Sequence, residues 1–257
     1  MSNKKIAALT LVGAGPGDPG LLTLSGLKAI EQADVILYDA LVSEEVLAFI
    51  PKAIPSWFVG KRVGKQSFSQ DEINRMVVEL AFTHGHVVRL KGGDPFIFGR
   101  GHEEIEYAKS FGLATDVIPG TTSAVAVPEN VNVPLTRRGI SESFWVITGT
   151  TRSGTISNDI ALAAQSSATI VILMGVHKIH EIMDVFAKHG KANTPVAIVQ
   201  DGTLPTERLV SGAVATIANI VEEERIKSPA IIVVGDVAKF AKQKNNPQLV
   251  VQGAIEK

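Results

Sequence analysis

Short apolar runs recur along the whole chain without polar alternation, and segments of helical period fill the gaps between them. The runs fall at residues 6–12, 35–38, 87–90 and 114–118, then at 145–148, 169–174, 196–199 and 231–234. A run such as Ile170-Val171-Ile172-Leu173 has no face to give to water, which is the pattern of parallel strands covered on both sides. Between the runs, Ile73, Met76, Val77 and Leu80 fall at i, i+3, i+4 and i+7, one stripe of a helix. Ile179, Ile182, Met183 and Phe186 mark a second helix, and Val214, Ile217, Ile220 and Val221 a third. Alternating strands and helices of this kind predict an α/β fold. Residues 130–143 are turn-rich and lack a period, so they are the expected seam between two α/β domains, residues 1–135 and 136–257, each of ordinary domain size.

Composition narrows the class of function. The 257 residues are 45% hydrophobic and 20% charged, enough apolar material for a large buried core. The net charge of −1, with both signs mixed along the chain, argues against nucleic acid as a partner. The absence of cysteine excludes disulfides, thiolate catalysis and cysteine-based zinc sites. The six histidines, including His177 and His180, form no recognisable ligand set, and no metal is expected. No apolar run approaches the ~20 residues that span a bilayer. Met-Ser-Asn-Lys-Lys leads directly into the first strand and leaves no room for a signal peptide, so a cytoplasmic protein is expected.

The first strand runs into G-A-G-P-G-D-P-G, Gly13 to Gly20. Gly15, Gly17 and Gly20 satisfy the G-x-G-x-x-G dinucleotide pattern, and Asp39 follows at roughly the ~20-residue interval of a ribose-binding carboxylate. The intervening residues refuse that ligand. Pro16 and Pro19 have no N–H to offer a pyrophosphate, and Asp18 brings a negative charge where two phosphate charges would sit. What remains is a stiff turn at the carboxyl end of a strand, where open α/β sheets bind ligands, facing a molecule with few or no phosphates.

A second loop, Arg89-Leu90-Lys91-Gly92-Gly93-Asp94-Pro95-Phe96-Ile97-Phe98-Gly99-Arg100-Gly101, also leaves a strand and meets a helix. Adjacent glycines admit a ligand close to the backbone, Asp94 and Pro95 shape the turn, and Phe96 to Phe98 offer an apolar cover. Two such loops at neighbouring strand ends imply a shared cleft.

These loops, with Tyr38-Asp39-Ala40-Leu41-Val42, Val59-Gly60-Lys61-Arg62, Pro119-Gly120-Thr121-Thr122-Ser123-Ala124, Pro134-Leu135-Thr136 and Ser228-Pro229-Ala230, stand in an order that resembles the uroporphyrinogen-III C-methyltransferases. The resemblance runs from about residue 6 to 241 and is most specific in K-G-G-D-P-F-I-F-G-R-G. It implies S-adenosyl-L-methionine, a phosphate-free methyl donor, bound in a cleft between the two domains and released as S-adenosyl-L-homocysteine. Pro16, Gly92, Gly93, Asp94, Ile97, Thr122 and Ser123 would contact it from the first domain, and Met174, Gly202 and Ala230 from the second. The implied reaction is methylation of uroporphyrinogen III at C2 and C7, giving precorrin-2 for sirohaem or cobalamin synthesis. By the same resemblance Asp39 would be the proton acceptor and Lys61 the donor, and the protein a homodimer.

A substrate with eight carboxylates calls for a basic rim. Lys61, Arg62 and Lys65 cluster in the chain, and Arg89, Lys91, Arg100, Arg137 and Arg138 flank the motif loops; arginine pairs with carboxylates in bidentate fashion. The chain departs from the family pattern at Ala40, Arg137, Gln200 and Glu207, which bears on substrate positioning and on the second methylation. Four functions compete: this methyl transfer, the same fold with another acceptor, a nicotinamide oxidoreductase that the prolines disfavour, and a cofactor-binding protein without catalysis.

Overall fold

All four apolar runs of the first half pair into one parallel sheet. In the computed structural model, which describes residues 6–60 and 68–242, the sheet is built from β1 (Ala8–Gly13), β2 (Val35–Tyr38), β3 (Ser56–Phe58), β4 (His86–Lys91) and β5 (Ala114–Ile118). Their order is β3-β2-β4-β1-β5, with every neighbouring pair parallel. The central strands β1 and β4 are therefore adjacent, and their carboxyl ends deliver the two glycine-rich loops side by side. The connecting helices are α1 (Leu24–Gln32), α2 (Glu44–Leu47), α3 (Gln70–His84) and α4 (Gly101–Ser110).

Helix α3 shows how locally the sequence specifies an element. Ser69 caps it: the Ser69 hydroxyl accepts the Glu72 N–H at 3.2 Å, and the Ser69 N–H donates to Glu72 Oε2 at 2.7 Å, a reciprocal capping box. Ile73 and Val77 of the expected stripe are buried against Leu9, Leu11 and Val87 of the sheet, with Met76 and Leu80 at its margin.

The second half departs from expectation in strand direction. A sheet of order β6-β7-β10-β8-β9 forms from β6 (Phe144–Thr148), β7 (Thr169–Leu173), β8 (Pro195–Gln200), β9 (Arg208–Ala213) and β10 (Ala230–Val234). Only β6 and β7 are parallel; β10 runs antiparallel to both β7 and β8, and β9 antiparallel to β8. Unalternated apolar character reports cover on both faces, which β7, β8 and β10 have, and is silent on direction. The edge strands β3 and β9 escape the pattern search because Val210 is their only buried residue.

Helices α6 (Asp159–Gln165), α7 (Ile179–Lys188) and α8 (Val214–Glu223) cover one face of this sheet through Ile160, Ile182, Phe186, Ile217 and Val221. The other face is covered by α5 (Ser123–Asn130) and the residues after it: Ala124, Val127, Val131, Val133 and Leu135 pack on Val171, Val199, Ile231 and Val233. The expected seam at 130–143 thus opens with core residues, Val131 and Val133 being fully buried, and a division at 135/136 runs through this second core. A backbone that lacks a period can still be buried when single valines alternate with turns. Among the described residues no helix is long and apolar enough to cross a membrane.

Candidate active site

Three loops of the first sheet converge at its carboxyl edge. Gly15 and Gly93 exchange backbone hydrogen bonds, Gly93 N to Gly15 O at 2.7 Å and Gly15 N to Gly93 O at 3.2 Å, while Ala14 N reaches Lys91 O at 2.8 Å. The loop after β5 closes on the same point. A Cβ added to Gly13 would lie 2.4 Å from Gly120 Cα, and one on Gly120 would lie 2.2 Å from Gly93 O. Only glycine permits backbones to approach so closely.

Asp94 stitches the loops together. Its Oδ1 accepts from Phe96 N at 2.9 Å and Ile97 N at 3.3 Å, and its Oδ2 from Gly120 N at 3.2 Å. Its carboxylate therefore shapes the site as a scaffold for the loops. Beyond it, Phe96, Ile97 and Phe98 remain about half exposed. Phe98 and Arg100 hold left-handed backbone at φ 55° and 58°, a strained choice for bulky residues that marks functional loops. Gly92 abuts Leu41, whose Cβ would be 2.6 Å from any Cβ at that position.

The second sheet presents a matching edge. Leu173 is paired with Ile231, and Gln200 with Ala230, so Met174, Ala230 and the Asp201-Gly202 turn leave neighbouring strands at one end. Met174 is half exposed with φ 56°, and its carbonyl accepts the Thr150 hydroxyl at 2.8 Å. Asp201 and Thr203 are also left-handed, at φ 50° and 72°. Gly202 lies against Val127, where a Cβ would meet Cγ1 at 2.4 Å. The two edges touch: Asp18 N donates to Thr203 Oγ1 at 3.2 Å, and Leu204 fills the space a Cβ on Gly17 would need. Thr122 caps α5, accepting from Ala124 N at 3.3 Å, so Thr122 and Ser123 stand at the start of the helix that joins the two sheets. The residues expected to hold the methyl donor are in this way gathered along two facing edges.

The basic rim fares differently. Lys61 and Arg62, with Lys65, lie outside the described residues. Arg89 and Lys91 are 1% and 4% exposed and are not rim residues at all: both sit on β4, two residues apart and hence on one face, beneath the cleft edge. Arg89 Nη2 donates to Asp39 Oδ1 at 2.5 Å, and Lys91 Nζ donates to Glu104 Oε1 at 2.9 Å. Sequence inspection passed over Glu104, although two cations on one face of an apolar strand require a buried counter-charge. Arg100 is exposed and forks onto Glu103, Nε to Oε1 at 2.9 Å and Nη2 to Oε2 at 2.6 Å. That bond, helped by Arg152, holds the Glu103 carboxyl below its usual range. Arg137 stacks over the Phe240 ring at 4.2 Å, beside the exposed Arg138.

Two of the departures from the family pattern, Gln200 and Glu207, are absorbed by hydrogen bonds. Gln200 Oε1 accepts from Lys227 N at 2.7 Å, and Glu207 Oε2 accepts from Thr203 N at 2.8 Å and Asn130 Nδ2 at 2.6 Å. Ala40 lies against Gly60. His177 and His180 turn to different partners, Ser228 and Glu222, and among the described residues no cluster of three His, Asp or Glu is spaced to hold a metal.

Known proteins share this architecture. The profile of the Tetrapyrrole (Corrin/Porphyrin) Methylases matches residues 8–218. The uroporphyrinogen-III C-methyltransferase of Methanocaldococcus jannaschii is 45% identical over 229 residues, 88% of this chain and 95% of that protein. The sirohaem synthase of Actinobacillus pleuropneumoniae serotype 7 is 44% identical over 94% of this chain but only 49% of its own length, so the chain spans about half of that relative. Among solved structures, the uroporphyrin-III C-methyltransferase of Thermus thermophilus complexed with S-adenosylhomocysteine superimposes with a TM-score of 0.77 at 36% identity, covering 90% of this chain and 99% of that one. A cobalt precorrin-4 methyltransferase gives a TM-score of 0.81 at 26% identity, covering 90% and 96%. With its paired glycine loops, facing sheet edges and a profile match over most of its length, the chain belongs to the tetrapyrrole (corrin/porphyrin) methylases.

Proposed function

We propose that the protein transfers methyl groups from S-adenosyl-L-methionine to C2 and C7 of uroporphyrinogen III, giving precorrin-2 and S-adenosyl-L-homocysteine on the route to sirohaem and cobalamin. The observation that carries this is the phosphate-refusing character of the Gly13–Gly20 loop, in a chain 45% identical to a uroporphyrinogen-III C-methyltransferase over 88% of its length. Gly13 and Gly120 let the backbones of the converging loops pack against each other at the cleft edge, while Pro16, Pro19 and Asp18 deter a pyrophosphate. Such a cleft fits a donor that is a cation without phosphates.

Pro16, Gly92, Gly93, Asp94, Ile97, Thr122 and Ser123 on one edge, and Met174, Gly202 and Ala230 on the other, would hold the donor, Asp94 through the loops it braces. The donor supplies an electrophilic sulfonium methyl. Each transfer forms one carbon–carbon bond as a carbon–sulfur bond breaks, the sulfur keeps the electron pair, and the ring loses one proton. The chain's own contribution is alignment, exclusion of water and acceptance of that proton. Asp39, a quarter exposed at the end of β2 and held by Arg89, is the proton acceptor in this scheme, and Lys61 the donor. Arg62, Arg100, Arg137 and Arg138 are candidates for the substrate carboxylates. The protein acts as a cytoplasmic homodimer, without nucleic acid or membrane partners.

The test is incubation with uroporphyrinogen III and methyl-labelled S-adenosylmethionine. Label should enter the tetrapyrrole twice per molecule. Binding of S-adenosylhomocysteine without transfer would redirect the search to another acceptor, and binding of a nicotinamide nucleotide alone would overturn the proposal.

A further inference from the structure

Four charged side chains meet beneath the cleft edge. Arg89, Lys91 and Glu104 are nearly inaccessible, and only the Asp39 side chain, 26% exposed, reaches the surface. Arg89 Nη2 lies 2.5 Å from Asp39 Oδ1. Lys91 Nζ lies between two carboxylates, 2.9 Å from Glu104 Oε1 and 3.8 Å from Asp39 Oδ2. Gln70 fixes Glu104 from a third side, its Nε2 donating to Oε1 at 3.0 Å. Two cations and two carboxylates make the cluster neutral.

Stability alone is a poor reason for this arrangement, because desolvating buried ions commonly outweighs their attraction unless each atom is satisfied. Here it is not. Arg89 Nε and Glu104 Oε2 face each other at 3.6 Å, and both lack a hydrogen-bond partner. The Arg89 head is drawn instead to Asp39, and the Lys91 head, hydrogen-bonded to Glu104, stands within ion-pair range of the same carboxylate. The buried end of the cluster is left imperfect while its one exposed member is held by two cations, which is the arrangement expected when the purpose is to control that member.

We propose that Glu104 is a positioning residue for the methyl transfer: by anchoring Lys91 and balancing Arg89 it sets the orientation and the charge environment of the Asp39 carboxylate, without itself reaching the cleft. This rests on Asp39 being the proton acceptor. Removing the Glu104 charge leaves two cations facing Asp39 alone, which locks the carboxylate to them and turns it away from the substrate proton.

The experiment is a double-mutant cycle in the full chain with Glu104→Gln and Asp39→Asn, reading kcat and KM for uroporphyrinogen III and the Kd for S-adenosylhomocysteine. Glu104→Gln should lower kcat about 10-fold or more while KM and Kd stay within about twofold, a coupling inside the range for contacting residues. Glu104→Asp, which keeps the charge, should recover most of the loss. In the Asp39→Asn background Glu104→Gln should cost almost nothing. An equal loss in both backgrounds, or a loss carried by KM and Kd, would make Glu104 merely structural and overturn the inference. Unchanged turnover in Asp39→Asn alone would instead remove the proton-acceptor role on which it rests. Should Glu104→Gln prove insoluble, Gln70→Ala, which withdraws the third support from Glu104 and leaves all four charges, is put through the same cycle with the same criteria.

Discussion

Asp94 is hydrogen-bonded to Gly120 across two loops: its Oδ2 accepts the Gly120 N–H at 3.2 Å while its Oδ1 holds Phe96 N and Ile97 N. One carboxylate thus braces the turn after β4 and pins it to the turn after β5. Replacing it with alanine strands three N–H donors at the cleft. Asp94→Ala should lower stability by about 1–3 kcal/mol, the cost of losing such partners, and weaken S-adenosylhomocysteine binding at least ~10-fold, a loss of about 1.4 kcal/mol in affinity. Asp94→Asn should fall between, because its amide cannot accept at both ends. Thermal melts and calorimetric titration check both; unaltered affinity would separate the brace from the binding site.

Glycine at 120 is a packing requirement rather than a flexible joint. Its added Cβ would overlap Gly93 O at 2.2 Å and Gly13 Cα at 2.6 Å, backbone atoms with nowhere to move. Gly120→Ala should destabilise by more than ~3 kcal/mol, at the upper end for overpacking. Gly112 has φ 78° but nothing within 4 Å of an added Cβ, so Gly112→Ala should cost only about 1–2 kcal/mol for its backbone conformation. Chemical denaturation of the two variants orders them, and the reverse order would contradict the contact.

If Asp39 accepts the proton, Asp39→Ala should keep the affinity for S-adenosylhomocysteine and lose roughly 10²- to 10⁴-fold in turnover, the usual contribution of a positioned base. Single-turnover kinetics with labelled donor measure it. Turnover equal to the parent protein would take Asp39 out of the chemistry.

The capping box of α3 carries a pH signature. Hydrogen bonds from Ser69, backbone first and then side chain, hold the Glu72 carboxyl below its usual range. A folded value below the unfolded one means that this contribution is present above the ordinary carboxylate range and is lost as pH falls through the lowered value. Glu72 is fully exposed, so the effect is small. Glu72→Gln, which removes the charge and leaves the Ser69 cap in place, should lower the melting temperature by about 1–2 °C at neutral pH, and the gap to the parent should narrow on acidification below the carboxylate range. A constant gap would show that the carboxylate plays no part in the cap.

Much of this protein was decided within the sequence itself. Apolar runs placed the strands β1, β2, β4, β5, β6, β7, β8 and β10, because a short unalternated apolar run is recognisable without its partners. Helical stripes placed α3, α7 and α8 for the same local reason. Pro16, Pro19 and Asp18 ruled on phosphate by their chemistry alone. Other features exist only in three dimensions. Strand β10 enters antiparallel between β7 and β8, and α5 crosses to the second sheet; both depend on which surfaces are left to cover once the rest has folded. Gly13, Gly93 and Gly120 are far apart in the chain and acquire their meaning from one crowded point. Arg89 and Lys91 read as rim charges because sequence registers a charge and not its burial. Their neutralisation by Asp39 and Glu104, which come from a different strand and a helix, is a property of the packed sheet, where low polarisability forces every buried charge to find a partner.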